Sequence, residues 1–378
     1  MNRIVVNSTL ITFGGSHVNR LIYTMNKKAM YIYSFMLFQL HRIISVGDEN
    51  TSHRDYELDA LRSFAMLYII GFWHLFNYSE SLQFLVKPLI FRLLKCCMLG
   101  LFSYISGLLL SRKYALGNWQ EVIRFYRRRF FRIYPLFLAS LAGFLLVGWI
   151  DVRTFFVSVV SLNMFLPALL PTLWFVTMIL LFYAITPLFL LHYTHTKTIL
   201  LTFLFMTGFV ILHWATGLID LRLPQYLVPF ALGILIGRSP ALSKALRYRQ
   251  ICIISVIVFL MAQQLSFIGN DIIQMLVVDA AILGAIPLFL LLGRWLVLLI
   301  PTRALLFLSI SSFVAYLIHR NIFGISLRIY NPDSMISSFI YLVLIVLPLT
   351  LMISYFIQKV YDWLLQINSL KRRYRQFS

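Results

Sequence analysis

The sequence predicts an all-α membrane protein, a polytopic bundle of about ten transmembrane helices. The chain of 378 residues is 60% hydrophobic, and its mean hydropathy is +0.84. Only 12% of its residues are charged, against about 25% in soluble domains. The apolar runs are long and continuous, which predicts helices rather than the short alternating strands of an outer-membrane barrel.

Ten apolar segments approach the length that a bilayer core requires, roughly 17–25 residues. The predicted spans are residues 61–79, 95–111, 134–150, 173–191, 199–218, 225–238, 251–268, 274–293, 304–323 and 336–358. If the first span begins inside, the cytoplasmic loops and tail carry 18 Lys and Arg residues and the outside loops carry 5. This bias predicts two cytoplasmic termini. The net charge of +20 then reflects these loops and anionic lipid rather than nucleic acid.

By composition, the chain divides into three parts. Residues 1–54 form a mixed N-terminal extension, which we expect to be cytoplasmic or interfacial, with an extra span as the alternative. Residues 55–365 form the transmembrane domain, and residues 366–378 form a basic cytoplasmic tail.

Arg62 and His74 lie inside the first predicted span. Because an ionisable group in hydrocarbon costs free energy, both are candidates for a functional site. A snorkelling arginine at the cytoplasmic end of a span would need no function. His74 lies twelve residues, about 18 Å, further along the helix axis. It is either hydrogen-bonded between packed helices or a proton acceptor, a role that neutral imidazole fills near pH 7.

The densest basic cluster, residues 118–135, lies between the second and third spans. It predicts an amphipathic interfacial helix that runs into the third span, with Pro135 in the first turn of that span. Its apolar side is Trp119, Val122, Ile123, Tyr126, Phe130 and Ile133, and its basic side is Arg124, Arg127, Arg128, Arg129 and Arg132. The arginines either hold anionic lipid or bind a polyanionic cytosolic ligand, since guanidinium groups suit phosphates.

Two residues of the second and fourth spans are further candidates for lining a site. Ser106 lies beside Ser103 and Gly107, whose spacing predicts close helix packing. No strand–turn–helix elbow supports Ser106 as a nucleophile. Trp174 opens the fourth span, where aromatic residues usually anchor the interface.

The ninth span supplies the last candidates, Tyr316 and His319, with Arg320 beside them. His319 lies near the outer end, at about the depth predicted for His74. It either pairs with His74 or marks the interface. No two histidines have metal-ligand spacing with a carboxylate partner, so we predict no metal site.

Six stretches in this order carry a resemblance: ELDALRSFAMLYIIGFWH (57–74), FSYISGLLL (102–110), RRRFFRIYPLF (127–137), LWFVTMILLFYAITPLF (173–189), LVPFALGILIG (227–237) and SSFVAYLIH (311–319). The chain resembles the acyltransferase 3 family of integral membrane acyltransferases, which includes bacterial O-antigen and exopolysaccharide O-acetyltransferases. The resemblance covers about residues 55–320. The Ser-Gly-Phe motif of that family appears as residues 106–108 without its aromatic residue.

The resemblance implies roles for the charged residues. An arginine and a histidine in the first span are the signature functional pair of the family, and they correspond to Arg62 and His74. An Arg-x-x-Arg motif in the basic loop is linked to the acyl-CoA donor and corresponds to Arg129 and Arg132. The residues assigned to donor binding are therefore Arg127, Arg128, Arg129 and Arg132.

The spacing of the signature pair departs from the commonest family pattern. Eleven residues separate Arg62 from His74, where that pattern has ten. On a regular helix the twelve-residue step leaves the side chains about 120° apart, whereas an eleven-residue step leaves about 20°. Either the two residues act at different faces, or the helix carries a one-residue π-bulge. We predict such a distortion between residues 68 and 74, where Gly71 relaxes the turn.

The activity implied is transfer of an acyl group, with acetyl expected, from cytosolic acyl-CoA to a hydroxyl of an extracytoplasmic or lipid-linked glycan. His74 would act as general base, and Arg62 would hold donor phosphate or steady negative charge. Acyl-CoA is then a co-substrate, no bound cofactor and no nucleic-acid partner is expected, and the location is the bacterial inner membrane. A two-step route through an acyl-enzyme stays open.

Two other classes of function remain at this point. A transporter of a polyanion or lipid-linked sugar would use intramembrane Arg and His as a substrate or proton site, although no inverted repeat is visible. A structural subunit of a polysaccharide-assembly complex would use Arg62 and His74 for packing. In that case His74→Ala would lower protein level together with function.

Overall fold

A computed structural model gives the structure of residues 55–166, 170–265 and 269–374, with side chains described as far as residue 366. Asp55–Gln358 form one compact unit. The predicted N-terminal extension, residues 1–54, lies outside the described residues, as do the last four residues of the predicted tail.

Every regular element of the described chain is a helix, which confirms the predicted fold class. Helix α1 (Tyr56–Leu67) continues directly into a π-helix, Tyr68–His74, and then into α2 (Leu75–Asn77). The other helices are a 3₁₀-helix (Gln83–Leu85), α3 (Leu89–Lys113), α4 (Trp119–Val147), α5 (Val152–Val159), α6 (Trp174–Leu190), α7 (His195–Thr216), α8 (Arg222–Arg238), α9 (Pro240–Ala245), α10 (Arg249–Leu265), α11 (Asp271–Leu299), α12 (Thr302–Ile329), α13 (Met335–Ile340), a second π-helix (Tyr341–Val346) and α14 (Leu347–Tyr374).

Six helices of the described chain are long and apolar enough to cross a membrane. They are Leu89–Lys113, Trp119–Val147, His195–Thr216, Asp271–Leu299, Thr302–Ile329 and the continuous stretch Met335–Gln366. Helices α6 and α10 are apolar but shorter. The structure thus confirms a polytopic membrane protein, while the number of ten crossings stays a prediction.

Helix α4 differs from its prediction at Pro135. The sequence predicts that a new helix begins there, but α4 is a single helix from its N-cap Asn118 to its C-cap Gly148, with Pro135 inside it. Proline removes one backbone hydrogen bond and crowds the preceding turn. A helix of 29 residues tolerates this local loss because its other backbone hydrogen bonds remain. The basic cluster and the third predicted span are therefore one continuous helix.

The apolar side predicted for the basic cluster is only partly buried. Val122 and Ile133 are buried, and so is Phe125, which the prediction did not include. The other four residues of the predicted side are exposed: Trp119, Ile123, Tyr126 and Phe130. An outward strip of aromatic and aliphatic side chains suits a lipid interface, which agrees with the predicted interfacial segment.

Helices α3 and α8 pack at backbone contact distance. A Cβ atom placed on Gly107 would lie 2.0 Å from the carbonyl oxygen of Phe230. One placed on Gly233 would lie 2.1 Å from the carbonyl oxygen of Tyr104. Only glycine permits this approach, so the close packing predicted from Ser103 and Gly107 is confirmed.

Candidate active site

The π-helix covers Tyr68–His74, the interval in which the spacing of the signature pair predicts a distortion. That prediction is confirmed. Gly71 lies inside the π-helix, and a Cβ atom placed on it would lie 3.0 Å from a terminal methyl of Leu347. A π-turn accommodates one residue more than an α-turn, so it changes the direction in which His74 projects.

His74 projects onto α12, where its ring stacks on that of His319. The ring centroids are 4.8 Å apart and the ring planes differ by 5°. His319 is fully buried, whereas His74 is half-buried. Of the two alternatives that the sequence left for His319, the structure supports the pair. We call these two residues the histidine pair.

Backbone carbonyls fix the proton of His319. Its Nδ1 lies 2.9 Å from the carbonyl oxygen of Tyr316 and 3.2 Å from that of Ala315. Because a carbonyl oxygen can only accept, Nδ1 carries the proton and Nε2 keeps its lone pair. That Nε2 is buried and has no hydrogen-bond partner in the described chain, and the same holds for Nδ1 of His74. Since the rings are parallel, neither nitrogen satisfies the other.

Arg62 lies in α1, the helix that continues into the π-helix of His74, and its side chain pairs with Asp59. The guanidinium nitrogen is 3.6 Å from a carboxylate oxygen of Asp59. Asp59 is 6% exposed and accepts a hydrogen bond of 2.7 Å from the hydroxyl of Ser309 on α12. Arg62 is thus tied through Asp59 to α12, the helix that His74 also contacts.

The end of the unit that carries Arg62 is held by ion pairs, and we call it the basic end. Asp55 pairs with Arg112 at 3.0 Å, and Glu57 pairs with Arg247 at 2.8 Å and with Arg294 at 3.7 Å. Exposed pairs stabilise by no more than about 1 kcal/mol each, but together they fix the first turn of α1. Arg112 and Arg247 also line a cleft of ≈ 380 Å³.

Among the four arginines predicted to bind the donor, Arg129 is the one that points inward. Its guanidinium carbon lies 5.2 Å from the ring centre of Tyr114 and 5.5 Å from that of Tyr183. Its Nε is buried without a hydrogen-bond partner in the described chain. The others are exposed: Arg127, Arg128 and Arg132. The structure therefore divides the predicted pair, because Arg132 does not share the inner position of Arg129.

Arg238 joins Arg129 at this inner position. It donates a hydrogen bond to the carbonyl oxygen of Tyr114, and its guanidinium carbon lies 5.6 Å from the ring centre of Tyr193. Its Nε is also buried without a partner in the described chain. Two guanidinium groups with unused donors beside Tyr114 suit a polyanion. We call Arg129 and Arg238 the inner arginines.

The sequence missed three residues that build this site. Asp59 had a visible signal, since it is a carboxylate one helical turn before Arg62 in an apolar stretch. Ser309 had none, because it meets Asp59 across 250 residues of sequence. Arg238 lies at the end of an apolar run, so the sequence indicated only that it contributes to the positive charge of a cytoplasmic loop.

The remaining candidates have other surroundings. The hydroxyl of Tyr316 donates to the carbonyl oxygen of Thr172 at 2.7 Å, so it fixes that loop, and its ring lies 5.9 Å from His319. Trp174 lies 4.0 Å under the guanidinium group of Arg222. Ser106 is half-buried and makes no side-chain hydrogen bond within the described chain. In that part of the chain, neither Ser106 nor Trp174 forms a hydrogen bond or ring contact with the histidine pair.

The described residues contain no cluster of three His, Cys, Asp or Glu side chains that could hold a metal ion. The site therefore has arginines at the basic end and, further along the helix of Arg62, the histidine pair formed by His74 and His319. Such an arrangement can hold an anion and move a proton.

A protein-family model for acyltransferase 3, described as an acyltransferase domain, matches residues 55–359. The chain belongs to the acyltransferase 3 family. The match spans the whole compact unit, so this family member is a membrane acyltransferase. Searches of curated proteins and of solved structures gave no match. The family thus supplies the reaction class, and the residues of the site must supply the substrates and roles.

Proposed function

We propose that this acyltransferase moves an acyl group, with acetyl expected, from cytosolic acyl-CoA to a hydroxyl of an extracytoplasmic or lipid-linked glycan in the bacterial inner membrane. His74 acts as the general base. The observation that supports the proposal most is the stacked histidine pair, since it fixes a half-buried imidazole in the helix that also carries Arg62.

The donor binds at the basic end. The inner arginines hold its phosphates, because their Nε donors are buried and unused in the described chain. The exposed Arg127, Arg128 and Arg132 attract the anion from solution and contribute less to its affinity. An excess of Lys and Arg in the loops of this end agrees with a cytoplasmic location.

The thioester must then reach the histidine pair. His74 lies twelve positions after Arg62, about 18 Å at the rise of a regular helix. A donor with a charged nucleotide head and a long thioester arm matches this separation of charge and chemistry. Arg62, fixed by Asp59 at 3.6 Å, holds negative charge along that path.

The reaction is a direct transfer. His74 removes the proton of the acceptor hydroxyl while the hydroxyl oxygen attacks the thioester carbonyl carbon, and the tetrahedral intermediate expels the CoA thiolate. The imidazolium then gives its proton to the thiolate sulfur, which restores neutral His74. His74 is assigned as base because it is half-buried and can meet substrate, whereas His319 is fully buried. His319 is a positioning residue.

The test compares three variants with the wild type: His74→Ala, His319→Ala and, as a matched control, His195→Ala, an exposed histidine of α7. Each is expressed in cells lacking the gene, membrane levels are matched, and base-labile O-acetyl groups on surface glycan are measured by NMR. We expect His74→Ala to lower acetylation about 100-fold or more, the usual contribution of a general base. His195→Ala should have no effect.

A second arm uses purified protein in nanodiscs with radiolabelled acetyl-CoA and membrane glycan. Label that moves to glycan supports the transferase directly. Full activity of well-folded His74→Ala would remove this residue from the chemistry. Glycan movement across the membrane without transfer of label would support a transporter instead.

A further inference from the structure

Beyond the histidine pair, away from the basic end, four half-buried side chains each have one buried polar atom without a hydrogen-bond partner in the described chain. The unpaired atoms in the described chain are the Tyr78 hydroxyl, Trp149 Nε1, Arg320 Nε and Asn321 Oδ1. Folded proteins pair the large majority of buried polar atoms, so four in one place need an explanation. We call these residues the distal cluster.

The distal cluster adjoins the histidine pair. The ring of Phe323 lies 5.5 Å from that of His319 and 5.6 Å from that of Tyr78. Tyr78 follows His74 by one helical turn, and its ring lies 6.5 Å from that of Trp149. A ligand held by the distal cluster would therefore place a neighbouring group beside His74.

The cluster lies between helices rather than on an outward face. A Cβ atom placed on Gly324 of α12 would lie 2.5 Å from the indole of Trp149. One placed on Gly143 of α4 would lie 2.7 Å from the amide nitrogen of Asn321. These contacts place Trp149 and Asn321 where the C-terminal part of α4 meets α12, so the cluster faces a groove between the two helices rather than an outer surface.

Arg320 indicates that the ligand of this cluster carries a negative charge. Its guanidinium carbon lies 4.3 Å from the ring centre of Trp149 and 5.8 Å from that of Tyr78. Contacts with ring faces leave the N–H donors of a guanidinium unused. No carboxylate of the described chain forms an ion pair with Arg320. A partly buried cation without an anion is costly, and a planar carboxylate would satisfy it.

Arg222 shows what a structural arginine in similar surroundings looks like. It also stacks on an indole, that of Trp174, at 4.0 Å. Its guanidinium group, however, is paired with the carboxylate of Asp220. The missing carboxylate partner therefore distinguishes Arg320 from an arginine that only supports the fold.

We propose that the distal cluster is the acceptor subsite and that it takes a sugar bearing a carboxylate, such as a hexuronate. The carboxylate binds Arg320, and the sugar hydroxyls, which both donate and accept, satisfy Tyr78, Trp149 and Asn321. The hydroxyl to be acylated then lies beside His74. This assignment rests on the proposed function, because it takes the glycan as the acceptor.

The experiment measures binding and acyl transfer separately, with the full chain in nanodiscs of zwitterionic lipid. The probes are tetragalacturonate, its methyl ester and maltotetraose. We expect the wild type to bind tetragalacturonate about tenfold or more tightly than the two neutral probes. The ester removes the charge without a mutation, so it tests the proposal even if a variant does not fold.

The variants are Arg320→Met and the matched control Arg328→Met. Arg328 is an exposed arginine two turns further along α12 that bonds a backbone carbonyl at 3.4 Å. Arg320→Met should reduce the affinity for tetragalacturonate to that for maltotetraose and leave the KM for acetyl-CoA unchanged. Arg328→Met should keep the preference for the acidic probe.

Three results would overturn the proposal: equal binding of the acidic and neutral probes by the wild type, equal effects of the two arginine variants, or an Arg320→Met variant that loses both probes equally. The last result would instead indicate that Arg320 supports the shape of the site and does not recognise the carboxylate. Arg320-dependent binding without any transfer of acyl groups would support the subsite while contradicting the proposed function. Equal acyl transfer to tetragalacturonate and to maltotetraose would support the proposed function while contradicting the acidic acceptor subsite.

Discussion

Deleting one residue from the π-helix should preserve this enzyme, whereas deleting two should inactivate it. With Gly71 deleted, the step from Arg62 to His74 becomes eleven residues, so a regular α-helix leaves the side chains about 20° apart without any bulge. With both Ile70 and Gly71 deleted, the step becomes ten residues and the offset about 80°. The flanking turns can keep their positions only in the first case.

The displacement of the imidazole follows from helix geometry. The offset changes from about +20° to about −80°, a rotation of about 100°, so a side chain about 5 Å from the helix axis moves about 8 Å. This exceeds the 4.8 Å that separates the rings of His74 and His319. The double deletion should therefore break the histidine pair and lower acyl transfer about 100-fold or more, the contribution expected of a general base. The single deletion should stay within about threefold of the wild type, which is less than 1 kcal/mol in barrier.

The assay is transfer of radiolabelled acetyl from acetyl-CoA to glycan, with thermal melting in detergent as the measure of folding. Gly71→Ala is the control, because it keeps the residue count and its Cβ atom meets only a flexible methyl of Leu347 at 3.0 Å. A single-deletion variant that melts like the wild type but is as inactive as the double deletion would refute the argument from register.

Three further predictions concern packing, the donor and Arg62. Gly107→Ala places a Cβ atom 2.0 Å from a backbone carbonyl oxygen, so we expect a loss of about 1–3 kcal/mol and a lower melting temperature, whereas Gly208→Ala, in open space, should change neither. In steady-state kinetics, Arg129→Met should raise the KM for acetyl-CoA about tenfold, whereas Arg132→Met, at an exposed position, should raise it less than about threefold. The opposite order would contradict donor binding by the inner arginines. Asp59→Asn should lower the melting temperature, and should lower kcat of the folded protein about tenfold, because the Arg62 guanidinium loses its ionic partner. An unaltered kcat would count against that role.

Much of the fold was accessible from the sequence because lipid imposes a strong constraint on it. Long apolar runs predict helices, and the structure has helices in each of the ten predicted segments. The boundaries were less accessible. Hydropathy reports which residues meet lipid and not where a helix begins, so the change from basic to apolar residues near Pro135 was read as a helix start.

The site was predictable where its signal was local. The spacing of Arg62 and His74 sufficed to predict a π-helix, because helical geometry converts one extra residue into a defined rotation. The contacts that give those residues a role were not local. They are made by α12, about 250 residues away in the sequence, which supplies Ser309 to Asp59 and the ring of His319 to His74. No pattern within the first span predicts these contacts.

The distribution of unpaired polar atoms argues most directly that the molecule holds two ligands. Thirteen residues of the described chain have buried side-chain nitrogen or oxygen atoms without hydrogen-bond partners. Three of them are the inner arginines and Tyr193 at the basic end, and six are the histidine pair and the distal cluster. A bundle selected only for packing has no reason to leave buried guanidinium Nε atoms without partners at two separate places, since each costs stability. An enzyme that binds a polyanionic donor at one place and an anionic acceptor at the other must leave them so, because substrate supplies the missing partners.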